Sequence, residues 1–223
     1  MTTTAITEAF DRATNQRLLL EHPYYKCWQE GRLRVEDLAE YAEQYRHFES
    51  SLPAVLGAVC SMLPEGRAKE LVAENLNDER SRPKAHVELF ESFCDAVGTR
   101  DGIEPTPATR ELIDLYDESA SSDPIASLAV IGSYEVQAAD VARTKATALR
   151  TFFELGRAGT EFWDVHAEIE ADHARWTVEA LDDLGASGET VSRFATQSSD
   201  AWWAFLSERE SVARERSDTA SVG

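Results

Sequence analysis

Apolar residues recur along this chain at three- and four-residue intervals, and the two-residue alternation of a half-buried strand is nearly absent. The pattern predicts a helix over "TEAFDRATNQRLLLEH", residues 7–22, and one or two more over "RVEDLAEYAEQYRHFESSLPAVLGAVCSML", residues 34–63. "GRAKELVAENLNDER" follows as another, and "PKAHVELFESFCDAVG" resumes after a break expected at Pro83 and stops near Gly98. "TRDGIEPTPATR" is the clearest loop, with Asp101-Gly102 and two prolines, yet the helices flanking it share one texture, so it does not mark a domain boundary. After "ELIDLYDESA", Asp123 and Pro124 form a helix start, and Ile125 to Tyr134 is apolar almost all round, which places that helix at the centre of a bundle. A long helix through "TEFWDVHAEIEADHARWTVEALDDLG" and a last one from about Glu189 to Arg214 complete the set. The expected architecture is all-α: one domain over residues 1–214, a bundle of about seven to nine helices, with a disordered tail at 215–223.

Composition agrees with a folded core, since 43% of the 223 residues are hydrophobic and only 11 are Gly and 7 Pro. Cys27, Cys60 and Cys94 are odd in number and widely spaced, which suits reduced thiols better than a disulfide framework or a zinc knuckle. No apolar run reaches the length of a membrane span and the first residues lack a signal pattern, so a cytoplasmic protein is expected. The net charge of -19 argues against nucleic acid as a partner. Only four lysines (Lys26, Lys69, Lys84 and Lys145) stand against 41 acidic residues, a balance that resembles proteins of halophilic organisms more than it points to a mechanism. A homodimer is compatible with a bundle of this size, and no feature of the sequence demands one.

Candidate chemistry enters with "HAEIEADHARW". At about 100° per residue, His166, Glu170 and His173 fall within ~60° of one another on a single helix face, while Glu168 and Asp172 point elsewhere. Glu79 and His86 have the same seven-residue interval as the two late histidines, and Glu135 follows the apolar run in "AVIGSYEVQ", where a buried carboxylate needs a partner. Each element alone has an ordinary reading: Glu79 and His86 as a solvated helix face, a lone histidine as a packing residue. Together, three carboxylates and three imidazoles match the inventory of a dinuclear site inside a helical bundle. Such mixed ligation suits iron or manganese, with zinc possible, and is not a thiolate site.

These stretches carry a resemblance to a known family. From about Leu19 to Gly185 the chain resembles the haem-oxygenase-like dimetal oxidases, and within them most closely the CADD-like 4-aminobenzoate synthases, in the superfamily that also holds TenA (thiaminase II) and PqqC (pyrroloquinoline-quinone synthase). The segment "EHPYYKCWQEGRLRVEDLAEYAEQY" resembles the family's entry motif, "NLNDERSRPKAH" its Glu-x6-His element, "YEVQAADVARTK" its Tyr-Glu and downstream Lys, and "HAEIEADHA" its His-x3-acid-x2-His. The resemblance implies a haem-oxygenase-like helical bundle with Glu79, His86, Glu135, His166, Glu170 and His173 as ligands of two metal ions, iron or manganese, that use dioxygen and an external reductant. Glu170 departs from the usual Asp, and its extra methylene changes the reach of that carboxylate.

The resemblance further implies a self-sacrificing reaction, in which Tyr25 supplies the aromatic ring and Lys145 the amino group of 4-aminobenzoate, a precursor of folate-type cofactors. Tyr24, Tyr41, Tyr45 and Tyr134 are further candidates for the pocket wall. Rival readings stay open. Tyr25 could be an ordinary bundle tyrosine, and Lys145, turned ~80° from Glu135, could reach solvent. A dimetal oxidase with a free substrate would keep the ligands and tolerate loss of Tyr25 or Lys145. A thiaminase II-like hydrolase needs a nucleophilic cysteine in the pocket, and a non-enzymatic helical protein would hold a structural metal or none.

Overall fold

The structure, a computed structural model, describes residues 3–81 and 84–221. Among them are nine α-helices and no strand, in the order α1 (Thr3–Thr14), α2 (Pro23–Gln29), α3 (Val35–Met62), α4 (Arg67–Ser81), α5 (His86–Val97), α6 (Pro107–Ser122), α7 (Pro124–Phe152), α8 (Arg157–Asp183) and α9 (Gly188–Ser221). The all-α expectation holds. The first helix does not run through residues 7–22. It ends at Thr14, a single 3-10 turn spans Leu19–Glu21, and α2 starts afresh. Proline accounts for the fresh start of α2: the residue before Pro23 is pushed to extended backbone, and His22 has φ -65° and ψ 136°. His22 then caps α2, its Nδ1 accepting from the Tyr24 amide at 3.1 Å.

Pro53, in contrast, lies inside α3, which continues across it for 28 residues. Proline cannot donate to the carbonyl four residues back, so the turn that carries Glu49 lacks that hydrogen bond. Between α4 and α5 the chain does break, Ser81 ending one helix and His86 opening the next; Pro83, where the break was expected, lies outside the described residues. Gly98 ends α5 in the left-handed region at φ 76°, with its amide on the carbonyls of Cys94 and Asp95. α7 starts as the sequence indicates, Asp123 accepting from the Ile125 amide at 3.1 Å. The last helix runs past the expected end at Arg214, as far as Ser221.

α7 is the centre of the bundle. Every residue from Ala126 to Glu135 is buried, and the helix packs on α1, α2, α3, α6, α8 and α9. Gly132 allows its closest approach, because a Cβ there would lie 2.5 Å from Phe10 of α1 and 2.9 Å from Thr177 of α8. α9 is tied down by Arg209, fully buried, whose Nε lies 2.9 Å from Glu40 of α3 and whose guanidinium donates to Thr106 and Thr109 at the start of α6. α3, α4, α5, α7 and α8 thereby enclose the interior that holds the polar cluster described next.

Candidate metal centre

Each helix contributes to this cluster through its own periodicity. On α8, His166, Glu170 and His173 are buried together, while Glu168 and Asp172 are exposed, as one helix face requires. Glu135 comes from the middle of α7, Glu79 from the last turn of α4 and His86 from the first position of α5. All six are buried, and the structure brings them to one place in the bundle. Glu79, Glu135, His166, Glu170 and His173 line a cavity of about 20 Å³, together with Glu49, Tyr45 and Tyr134. His86 reaches the cluster through its ring, whose centroid lies 4.5 Å from that of His166.

The hydrogen bonds fix how the imidazoles point. His86 Nδ1 is 2.9 Å from Glu79 Oε2, so the ring is held by the carboxylate that ends α4. His166 Nδ1 donates to the Phe162 carbonyl at 2.8 Å, since a carbonyl only accepts. In both rings Nε2 is the atom left for the interior. His173 lies between two acids, Nε2 3.5 Å from Asp78 and Nδ1 3.7 Å from Glu170. Burial pushes His173 toward the neutral form, but Asp78 and Glu170 outweigh it and hold its pKa well above the ordinary value. Burial and the neighbouring His86 hold His166 well below it. Glu135 is fully engaged, Oε1 accepting from Asn75 at 2.8 Å and Oε2 from Thr177 at 2.6 Å. Burial pulls its carboxyl up to about 7.

Glu49 of α3 was not among the sequence candidates. Its carboxylate and the rings of His86 and His166 offer three ligand atoms all within 4.8 Å of one another. Burial, then the charges of Glu79 and Glu170, push its pKa well up. One signal was available: Tyr41, Tyr45, Phe48 and Glu49 lie four, seven and eight residues apart on a helix, so Glu49 interrupts a buried aromatic stripe. In a helix that also carries Glu36, Glu40 and Glu43, it did not stand out.

Orphaned atoms test whether the residues fit a metal. Glu49 Oε1, Glu170 Oε2 and His86 Nε2 are buried with no hydrogen-bond partner among the described residues. Buried polar atoms are rarely left so, and neutral imidazole with carboxylate is a donor set for a divalent first-row metal. The residues fit the group.

Beside the cluster lies an aromatic box around Lys145 of α7. The side chain is buried at 2% exposure and does not reach solvent. Its Nζ donates to Tyr41 Oη at 2.6 Å, and Tyr41 Oη is 3.0 Å from Tyr25 Oη. The same Nζ stands 4.0 Å from the ring centroid of Trp163, 4.6 Å from those of Tyr25 and Tyr41, and 5.3 Å from those of Trp28 and Tyr45. Burial drives its pKa well below the ordinary lysine value, opposed only by Glu49. Burial likewise raises the Tyr25 hydroxyl above its usual range. Tyr45 belongs to both box and cavity, and its hydroxyl lies 3.2 Å from that of Tyr134. Tyr24 is turned away, donating to the Asp37 carbonyl at 2.9 Å. None of the three cysteines lines the cavity, and burial raises the Cys94 thiol to about 12, which leaves it a poor nucleophile.

A nine-helix bundle with an imidazole and carboxylate cluster at its centre is the setting of an oxidoreductase, and comparison with known proteins identifies the class: the chain belongs to the family of iron-containing redox enzymes, whose family model matches residues 39–203. Among its relatives, a 4-aminobenzoate synthase of Nitrosomonas europaea is 30% identical over 224 residues, covering 92% of this chain and 91% of the relative. A 4-aminobenzoate synthase of Chlamydia pneumoniae is 25% identical, covering 90% of this chain and 92% of its own. A domain of unknown function from Shewanella denitrificans has a TM-score of 0.77 at 16% identity, over 100% of this chain and 97% of that one; it shares the haem-oxygenase-like fold.

Proposed function

We propose that this protein is a self-sacrificing 4-aminobenzoate synthase, a dioxygen-dependent oxidase that holds two metal ions, iron or manganese, and draws ring and nitrogen from its own Tyr25 and Lys145. The observation that carries the reading is one of volume. The cavity among the ligand-type side chains measures about 20 Å³, whereas pockets for small organic substrates run to roughly 300–1,000 Å³. A free aromatic substrate does not fit, and Tyr25 and Lys145 stand in the neighbouring aromatic box, which shares Tyr45 with the cavity. The names of the relatives favour the same product.

Glu79, His86, Glu135, His166, Glu170 and His173, with Glu49, would hold the ions, which supply the activation of dioxygen when bound. The remaining work falls to the chain. The aromatic box keeps Lys145 dry, and that burial favours the neutral, nucleophilic form of its amine. Tyr41 Oη accepts from Lys145 and bonds Tyr25, bringing nitrogen and phenol to the two sides of one hydroxyl. In the overall change, the Tyr25 ring carbon exchanges its oxygen, which leaves as water, for the Lys145 nitrogen, and the lysine Cε–Nζ bond breaks with Cε left as an aldehyde. The tyrosine Cα–Cβ bond also breaks, Cα taking up a hydrogen and Cβ becoming the carboxylate, so that six electrons leave the chain for two molecules of dioxygen. Dioxygen is the oxidant, and an external reductant supplies the remaining electrons.

Intact mass and peptide mapping of iron-loaded protein, before and after exposure to oxygen and a reductant, test the reading. Loss of mass confined to the Tyr25 peptide, a changed Lys145 and one aminobenzoate per chain are expected. Oxygen consumption with both residues intact would redirect the search to an external substrate.

A further inference from the structure

Two molecules of dioxygen take up more electrons than the chain yields in the proposed reaction, so the balance has to reach a buried cluster from solution. The aromatic rings that line the cavity, Tyr45, Phe48, Tyr116 and Tyr134, are all buried. Of the five tryptophans, Trp28, Trp163 and Trp202 are each 1% exposed, and the half-buried Trp203 packs on His22, ring centroids 4.6 Å apart. Trp176 of α8 differs from all of these. Its ring is half-buried, and His173, three residues earlier and so on the same helix face, has its ring centroid 5.5 Å away at an interplanar angle of 33°. His173 is held in turn, Nε2 lying 3.5 Å from Asp78 and Nδ1 3.7 Å from Glu170. The two rings therefore form a fixed bridge from the protein surface to the cluster, and indole is among the side chains that give up one electron most readily. Arg175 stands over the Trp176 ring, 5.9 Å from its centroid, and is anchored to Asp172 at 2.8 Å and Glu179 at 3.2 Å. A cation so placed opposes positive charge on the indole, which favours release of its N–H proton together with the electron.

Resting on the dioxygen-dependent reading above, we infer that Trp176 is the port through which a one-electron donor in solution supplies the missing electrons. The indole passes one electron inward by way of His173, reducing the oxidised centre, and gives its N–H proton to water. A neutral indolyl radical is left behind. The donor then returns the electron and water the proton, so the indole is restored and the donor leaves oxidised by one electron.

Paramagnetic resonance of iron-loaded protein, given oxygen without reductant and then frozen, tests the port without following product. Wild-type protein is expected to hold an organic radical whose signal narrows when its tryptophans carry deuterated indole. Trp176→Phe keeps a ring against His173 but one far harder to oxidise, and is expected to lose that radical. Trp176→Tyr restores an oxidisable ring and gives a tyrosine radical insensitive to the label; it also carries the test should Trp176→Phe fail to fold, as judged by its helical signal. Hexaammineruthenium(II), an outer-sphere one-electron donor, discharges the wild-type radical. With the same donor, reduction of the oxidised iron, followed by its absorbance, slows roughly tenfold or more in Trp176→Phe. Both variants take up Mn(II) as wild type does. The same labelled radical in either variant, an unchanged rate of reduction, or lost Mn(II) uptake in Trp176→Phe overturns the inference, the last because the ring would then be a structural support for His173. Wild-type iron that oxidises in oxygen with no tryptophan radical overturns it and leaves the dioxygen-dependent reading standing. Iron that stays reduced in oxygen ends both.

Discussion

Lys145 is the residue whose placement conflicts most with stability. An amine buried among five aromatic rings, with one hydrogen bond to Tyr41, gives up its hydration for little return. Lys145→Met keeps the length of the side chain and removes the polar atom. We expect it to raise stability by about 1 kcal/mol, within the range for burying an uncompensated polar group, and to abolish release of aminobenzoate. Thermal melting of the apo variant against wild type checks the first, and product analysis the second; a variant less stable than wild type would mean the amine is there for structure. At this scale the sequence was readable where periodicity isolates a side chain. His166, Glu170 and His173 share a face at any pitch near 3.6 residues, and the structure buries all three. Glu49 was hidden because acids are common on its helix.

Among the elements, α7 and α8 set the geometry of the centre, and Gly132 is where they meet. Its missing side chain admits Phe10 from one side and Thr177 from the other, and Thr177 is the residue that donates to Glu135. Gly132→Ala is expected to cost about 1–3 kcal/mol through overpacking, despite the better helix propensity of alanine. Denaturant unfolding measures the effect, and a stabilised variant would contradict the close approach. Helix existence was legible throughout, as were the break before His86, the end at Gly98 and the start at Asp123; the breaks around two prolines were not. Pro23 ends an element because His22 has to be extended, whereas Pro53 is carried inside α3 by the packing of the turns on either side. Sequence shows both prolines alike, and tertiary contacts decide between them.

For the whole molecule, charge is the dominant variable. A net charge of -19 on 223 residues is a self-repulsion that salt screens over roughly 10 Å at 0.1 M and 3 Å at 1 M. Stability should therefore rise with salt, by about 2 kcal/mol or on the order of 4–8 °C in melting temperature between those concentrations. A melting temperature that falls or stays level in potassium chloride would show that the acids are already neutralised by their ion pairs. The family resemblance was legible over most of the chain because it rests on side chains that face the interior at fixed spacing. The small cavity was not, since volume depends on how nine helices close on one another.

That closeness has a price for the chain itself. Tyr25 is a wall of the box, at 2% exposure, packed against Trp28 and Tyr41. On the proposed reaction its ring departs and nothing takes its place, which is the physical equivalent of truncating a buried aromatic residue, at a cost of about 3–5 kcal/mol. For a domain with roughly 5–15 kcal/mol of stability, the spent protein opens far more often than the fresh one. Cellular proteases, which act on opened forms, would thus distinguish used molecules from unused ones with no added mark, and the work performed would set the protein's lifetime.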